Sequence, residues 1–332
     1  EDGRKEAFGK WLELENLNTV NELIRYGIIS EDINNNLISL HPVIAEVTRA
    51  EALPSVSSCN ILLKHLHLIC LARGLDGRKP IMIIDSLKCI NNRIIIDDNN
   101  YYLSFLQDMF PYFEKYGVVD LLPDIINRIE LLMNDVCTSI DVCDKALLLD
   151  YKAWLMLSKN EYDNAIKKYN KAIALIEKFH NTYEVSARSA NLLSNIYNNM
   201  SSALFLKGRK EEATTALKKA FSIRKDFSYL GIIENNDTIQ QTLHMVNQLI
   251  NVKDFETAEN ILGFTTNIVT EYLGKNNVDY ATCMFYQGVI CMQKNDSETA
   301  KASFAVANKL FKELLSDDYE YINLCNQLQF LS

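Results

Sequence analysis

The side chains in this chain whose chemistry stands out are carboxamides at helical spacing. Asn195, Asn198 and Ser202 recur at intervals of three and four, as do Gln240, His244, Asn247 and Asn251. That is the spacing of one helix face. Each Asn or Gln offers a donor and an acceptor together, so a row of them can hold an extended peptide backbone whatever its sequence. Trp154 and Tyr286 would add aromatic anchors, and Gln293 a further uncharged polar pin, to such a face. The expected ligand is therefore a protein or peptide segment. A second reading stays open. The chain is rich in Asn throughout, with NNN at 34–36 and NN at 91–92 and 99–100. Compositional bias could place asparagines on any exposed helix face.

Other chemistries find less support. His65 and His67 lie two apart, on different sides of a helix rather than on one metal-binding face. The eight cysteines include no CxxC pair, and Cys137 and Cys143, six apart in VCTSIDVCDK, fit no common zinc template. Free thiols buried in apolar helical patterns are expected instead, in a reducing cytoplasm. Asp296–Glu298 and Asp317–Asp318 read as helix caps rather than calcium loops. His180 ends KKYNKAIALIEKFH, where the helix dipole favours partial positive charge. No GxxxxGK[ST] occurs, and GLDGRKP (74–80) lacks the spacing and the hydroxyl that would hold magnesium. No metal, cofactor or catalytic residue is expected, and the chain reads as a non-enzyme. Its 34 Lys and Arg against 43 Asp and Glu leave a net charge of −9. That balance gives no electrostatic reason to bind nucleic acid or an anionic membrane. The longest apolar stretch, NILLKHLHLICLA (60–72), is broken by Lys64 and two histidines and is too short to span a bilayer.

The elements that must position the polar face are written as a repeat. From Asp150 to Lys225 one pattern occurs twice: an apolar-periodic segment, a short polar break, then a second periodic segment opening on a small residue. Ala165, Ala213, Ala258 and Ala300 mark that residue in four units, at spacings of 48, 45 and 42. Ala153, Ser201 and Gly288 lie twelve residues earlier, where two helices crossing closely need a small side chain. Tyr169, Leu217, Leu262 and Phe304 follow one turn after each alanine. Hairpins recurring at this period make an α-solenoid, each burying its apolar face against its neighbours, with first helices lining the concave side.

These positions resemble the tetratricopeptide repeat. Gly208, Ala213, Leu217 and Ala220 match its turn glycine, early alanine, large residue and late alanine; Asn160, Tyr162, Ala165, Tyr169 and Ala172 match likewise. The third unit departs, with Val246 for the small residue and Thr265 for the last alanine. EYLGKNNVDYATCMFYQGVI at the third-to-fourth junction is similar to the kinesin-light-chain variant. LFKELLSDDYEYINLCNQL (310–328) repeats that junction as the first helix of a further unit. The resemblance covers about 140–332 and implies a binding scaffold. The expected architecture is all-α, a right-handed solenoid of about five to six hairpins. Its divisions are a winged-helix-like segment at 1–53, degenerate hairpins at 54–145 and repeats at 146–332.

Residues 4–53 read as helix, helix, small hairpin, helix. Leu23, Ile24, Gly27, Ile28 and Ile29, then Leu40, His41 and Pro42, resemble the winged-helix end of an NB-ARC (STAND-type) signal-transduction ATPase. That resemblance implies a sensor region following an NTPase module; the start EDGRKEAF, without a methionine, leads one to expect a fragment cut from something larger, and self-association is expected of the full-length protein. His41 matches the histidine associated with nucleotide phosphates in that family; a plain helix-start histidine is the alternative. Two further functional readings stay beside the sensor: a passive adaptor, and a peptide-responsive transcription regulator. Only Arg25 and Arg49 are basic within 18–53, which counts against DNA binding there.

Overall fold

The computed structural model describes residues 14–32, 37–41, 43, 54–72, 81–135, 141–227, 236–314 and 320–331. It divides into two compact units, residues 1–121 and 122–332.

In the first unit, helix α1 (Leu14–Arg25) is stopped by Gly27, whose φ of +68° closes the turn without a Cβ penalty. An antiparallel hairpin follows, β1 (Ile29–Asp32) with β2 (Leu37–Leu40), in the register Ile29 opposite Leu40. This is the hairpin expected from LISL after a polar turn. Of the helices expected on either side, the stretch before residue 14 and, apart from His41 and Val43, that over 41–53 lie outside the described residues. Helices α2 (Asn60–Ala72), α3 (Ile81–Arg93) and α4 (Asn99–Lys115) come next. Leu63, Leu66 and Cys70 of α2 are buried, as are Tyr102, Phe105, Leu106 and Met109 of α4, with which α2 packs. The connection 93–100 is tied back by the Val56 N–H, which donates to the Ile95 carbonyl (3.0 Å), and by the Ser57 N–H on Asp97 (2.8 Å). Pro111 lies inside α4, which continues through it to Lys115.

The second unit is an α-solenoid of tetratricopeptide-like hairpins. Helix α5 (Leu122–Asp135), with Pro123 in its first turn where no N–H is needed, precedes them. The pairs are α6 (Val142–Ser158) with α7 (Tyr162–His180), α8 (Ala187–Leu206) with α9 (Lys210–Asp226), α10 (Asn236–Asn251) with α11 (Phe255–Tyr272), and α12 (Val278–Gln293) with α13 (Ser297–Leu314). Helix α14 (Glu320–Leu331) packs on α13, as the repeated junction led one to expect.

The repeat is a packing code in three dimensions too. Ala165, Ala213, Ala258 and Ala300 are buried, and so are Tyr169, Leu217, Leu262 and Phe304. A Cβ built on Gly288 would stand 2.6 Å from Cε1 of Phe304, so glycine there is a matter of space. The exceptions have local reasons. Val246 is fully buried, and Thr265 hides its hydroxyl by donating to the Ile261 carbonyl one turn back (2.8 Å). Each first-to-second turn is a left-handed residue five positions before the alanine: Asn160, Gly208, Lys253 and Asn295, with φ of 62°, 84°, 65° and 63°. In each, the next N–H reaches back to the carbonyl five residues earlier: Glu161 to Met156, Arg209 to Leu204, Asp254 to Leu249 and Asp296 to Cys291. Asp296 and Asp254 also cap the helices that follow, accepting from the Thr299 and Thr257 N–H groups. Asp317 and Asp318 lie outside the described residues.

Two expectations need correcting. His180 does end its helix, but burial holds its pKa below the usual value, so it is neutral near pH 7 rather than a positive cap. It lies 2.9 Å from Ser189 Oγ. The described cysteines are free thiols, yet Cys89 is exposed and Cys59 partly so. Burial does push Cys70 and Cys283 up to about 12, well away from thiolate reactivity. Among the described residues, no helix is long and apolar enough to cross a membrane.

Candidate functional site

The polar face expected from the sequence is built by α6, α8, α10 and α12, the first helices of the four hairpins. Much of its polarity is spent between helices. Asn199 donates to Asp150 of α6 (3.1 Å). Ser201 donates to Gln248 Oε1 (2.7 Å), and Gln248 Nε2 donates to Ser202 (2.6 Å), joining α8 to α10. Gln240 donates to Asp279, joining α10 to α12. Burial raises the Asp279 carboxyl above its ordinary value, and the Gln240 bond only partly offsets this.

The sequence-predicted residues therefore fall into distinct environments. Ser202 and Gln240 are members of the inter-helix ladder, although Gln240 keeps an exposed side. Asn195 is half-buried and accepts a hydrogen bond from Arg224 (2.8 Å). Asn198 is only 3 % exposed, and its Oδ1 has no hydrogen-bond partner among the described residues. Tyr286 is buried and Trp154 half-buried. His244, Asn251 and Gln293 are exposed, and Asn247 is half-exposed. His244 combines two properties. Solvent reaches its ring, yet surrounding protein strips enough hydration to lower its pKa. Those two facts together describe an imidazole that is exposed yet partly dehydrated.

The residue that sequence reasoning missed is Arg224, on α9. It is 1 % exposed. Its Nε donates to Ser194 Oγ (2.7 Å), Nη1 to Thr242 Oγ1 (2.7 Å), and Nη2 to both Asn195 Oδ1 (2.8 Å) and Gln241 Oε1 (2.5 Å). Ser194 passes the chain on to the Ala220 carbonyl (2.9 Å). One side chain thus ties α8, α9 and α10, the last belonging to the next hairpin. Burial pushes its pKa down to about 9, still above neutrality, so the guanidinium keeps its charge. The sequence did carry a signal: 224 continues the buried stripe 213, 217, 220, and a charge on that stripe must be hydrogen-bonded to be tolerated.

Outside this face, His67 Nε2 lies 2.6 Å from Asp108 Oδ2, with Tyr101 and Phe105 edge-on to the ring. His65 turns instead to the Ile61 carbonyl (2.9 Å). His41 is exposed; its Nδ1 accepts the Val43 N–H (3.3 Å) and its own N–H donates to the Ile28 carbonyl (2.9 Å) at the base of the β1–β2 hairpin. No group of three metal-ligating side chains occurs among the described residues.

Residues 194–227, which span most of α8 and all of α9, match the tetratricopeptide repeat family model. No curated protein matches the chain. Solved structures similar to it include the following two. One is BtubC (BKLC) from P. vanneervenii, 14% identical, covering 64% of this chain and 81% of that one with a TM-score of 0.45. The other is a Rap protein complexed with competence and sporulation factor, 13% identical, covering 81% of this chain and 69% of that one, also with a TM-score of 0.45.

Proposed function

We propose that the face formed by α6, α8, α10 and α12 is a concave groove that binds an extended segment of a partner protein or a peptide. The observation that carries this is the row His244, Asn247 and Asn251 on α10. The side-chain amides of Asn247 and Asn251 make no hydrogen bond to any described residue, unlike the amides used in the inter-helix ladder, and the His244 imidazole is exposed yet partly dehydrated. Uncommitted carboxamides beside a partly dehydrated imidazole are suited to pairing with a peptide backbone.

Selection from a displayed random-peptide library on the purified chain tests the groove. The expected outcome is a set of enriched peptides whose affinity, read by fluorescence anisotropy, falls at least tenfold in His244→Ala/Asn247→Ala. Both side chains reach solvent, so the fold should persist, as circular dichroism would check. Equal binding by wild type and variant would remove the groove from this face.

In a longer polypeptide, the groove would serve as the sensor of an NB-ARC-type NTPase. The order α1, left-handed Gly27, hairpin and His41 supports this reading. So does the geometry of His41, whose Nδ1 is occupied by the helix start while Nε2 is left for a phosphate. Such a trigger works only if ligand favours the active arrangement over the resting one. A full reading frame with no phosphate-binding loop upstream, or a full-length NTPase whose turnover ignores the selected peptide, would rule out the sensor role.

A further inference from the structure

Helix α2 carries large apolar side chains on every side, a composition that belongs to a helix enclosed by other elements. Only half of it is enclosed. Leu63, Leu66 and Cys70 are buried where α2 meets α4, whereas Ile61, Leu62, Leu68 and Leu71 are 78, 53, 63 and 54 % exposed. At about 100° per residue, Ile61, His65 and Leu68 form a line down the open side, with Leu62 on one flank and Lys64 and Leu71 on the other. His65 turns its Nδ1 back to the Ile61 carbonyl (2.9 Å), so part of its polarity is used within the helix. Elsewhere among the described residues, large apolar side chains that reach solvent stand singly or in pairs, which is ordinary for a protein surface.

The charge on α2 narrows what can cover it. The chain carries a net charge of −9, so two copies repel wherever their carboxylates meet. Residues 60–72 contain no Asp or Glu and a single Lys. A second copy can therefore approach α2 without that repulsion, and it brings what an apolar strip needs, another apolar strip of the same length.

We propose that α2 is a self-association surface, on which a second copy of this chain docks its own α2, antiparallel, about a two-fold axis. Such a contact is isologous, so each strip completes the other. An axis midway along the open side sets Leu68 of each copy against His65 and Leu68 of the other. Each Lys64 is left at the rim, its aliphatic stem on apolar surface and its ammonium in water. One helix laid on another buries less than the roughly 1,000 Å² of a stable specific interface. The pair therefore exchanges with the monomer at micromolar to millimolar concentration rather than persisting on dilution.

Sedimentation velocity on the intact chain, under reducing conditions and over that concentration range, tests this. Wild type should move from the mass of one chain toward that of two as concentration rises. Leu68→Glu sets two carboxylates against each other at the axis and should raise the dissociation constant at least tenfold, and Leu68→Lys should do the same with two ammonium groups. Leu68 is largely exposed, so circular dichroism melts of both variants should match wild type. Ile61→Glu, at the most exposed of the four positions, repeats the test independently of any effect at 68. An equimolar mixture of the Leu68→Glu and Leu68→Lys chains should associate again, because opposite charges then meet across the axis. A wild-type chain that stays monomeric throughout overturns the proposal and leaves the face to another protein or another segment of this chain. Association of Leu68→Glu and Ile61→Glu as strong as that of wild type also overturns it, by putting the contact elsewhere. So does a mixture that fails to associate, since the two α2 strips would then not face one another.

Discussion

Gly288 and Gly263 each sit inside the helix of a hairpin, and replacing each by alanine should have opposite consequences. In α11, Gly263 faces open space, with nothing within 4 Å of a built Cβ. Gly263→Ala should therefore simply stiffen the helix, stabilising it by about 0.5–1 kcal/mol. In α12, the same methyl would stand 2.6, 2.7 and 2.9 Å from three atoms of the Phe304 ring. Carbon atoms in contact sit roughly 3.5–4.0 Å apart, so ring or helix must give by about 1 Å. The ring cannot easily comply, since Phe304 is fully buried and packs against Phe285 with centroids 5.9 Å apart. Overpacking of this kind costs about 1–3 kcal/mol. The helix-propensity gain is common to both substitutions, so their difference isolates the clash at about 1–3 kcal/mol. Repeat arrays open segment by segment, so the suitable readout is hydrogen exchange on peptides from α11, α12 and α13 under reducing conditions. Phe304→Leu should make Gly288→Ala less harmful than in the wild-type background, a coupling visible in a double-mutant cycle. If the two alanine variants agree within about 0.5 kcal/mol, or if the cycle is additive, the close approach of α12 and α13 is not what requires glycine.

The turns, the buried arginine and the buried carboxyl give further tests. Lys253→Gly removes a left-handed conformation from a side-chain-bearing residue and should stabilise by about 0.5–1 kcal/mol, whereas Gly208→Ala should destabilise by about 1 kcal/mol; urea unfolding compares them. Arg224→Met leaves buried Ser194 and Thr242 without their donor and should cost about 3 kcal/mol or more, the largest loss among single changes on α9. Asp279 has its pKa raised in the folded state, so the fold holds its proton more tightly than the unfolded chain does, and stability is lost as pH rises above the ordinary 3.8. Asp279→Asn should consequently stabilise at pH 7, with the gain vanishing below pH 3.8; a gain that persists in acid would show another cause. His180 and His244 have lowered pKa values, so the fold resists their protonation, and their contribution is lost as pH falls below the ordinary 6.5. A His180→Gln/His244→Gln variant should flatten the stability change between pH 7 and 5.

What could be read from the sequence was whatever the repeat enforces on every unit. Ala165, Ala213, Ala258 and Ala300 recur because each hairpin faces the same steric problem, and a problem posed four times leaves a visible pattern. The five-residue offset from turn to alanine held even where lysine stands in for glycine at 253, because the backbone geometry is common to all. The interactions between hairpins were opaque for the opposite reason. Arg224 with Gln241, or Ser201 with Gln248, meet across 17 and 47 residues and occur once each, with no periodicity to betray them. Asn198 illustrates the resulting error of emphasis: helical spacing put it on the polar face, whereas packing buried it. Asn199, one position on, took the inter-helix bond to Asp150.

Those singular contacts have a consequence for how the array is ordered. The apolar code is the same in every hairpin, so by itself it would let any hairpin stack on any other. At the first junction the clamp is Arg188 on Asp141 and Asp144, with Tyr197 on Glu177. At the second it is Arg224 with Gln241 and Thr242, and at the third Gln240 with Asp279 and Lys294 with Glu259. The Lys294–Glu259 pair has a counterpart in Lys207 and Asp163 at the first junction, whereas the Arg224 network has none at either of the other two among the described residues. A chain with its second and third hairpins exchanged would keep the alanine positions in step and strand a buried guanidinium. The polar contacts therefore act as an address for each repeat, and the generic helices around them as interchangeable stock.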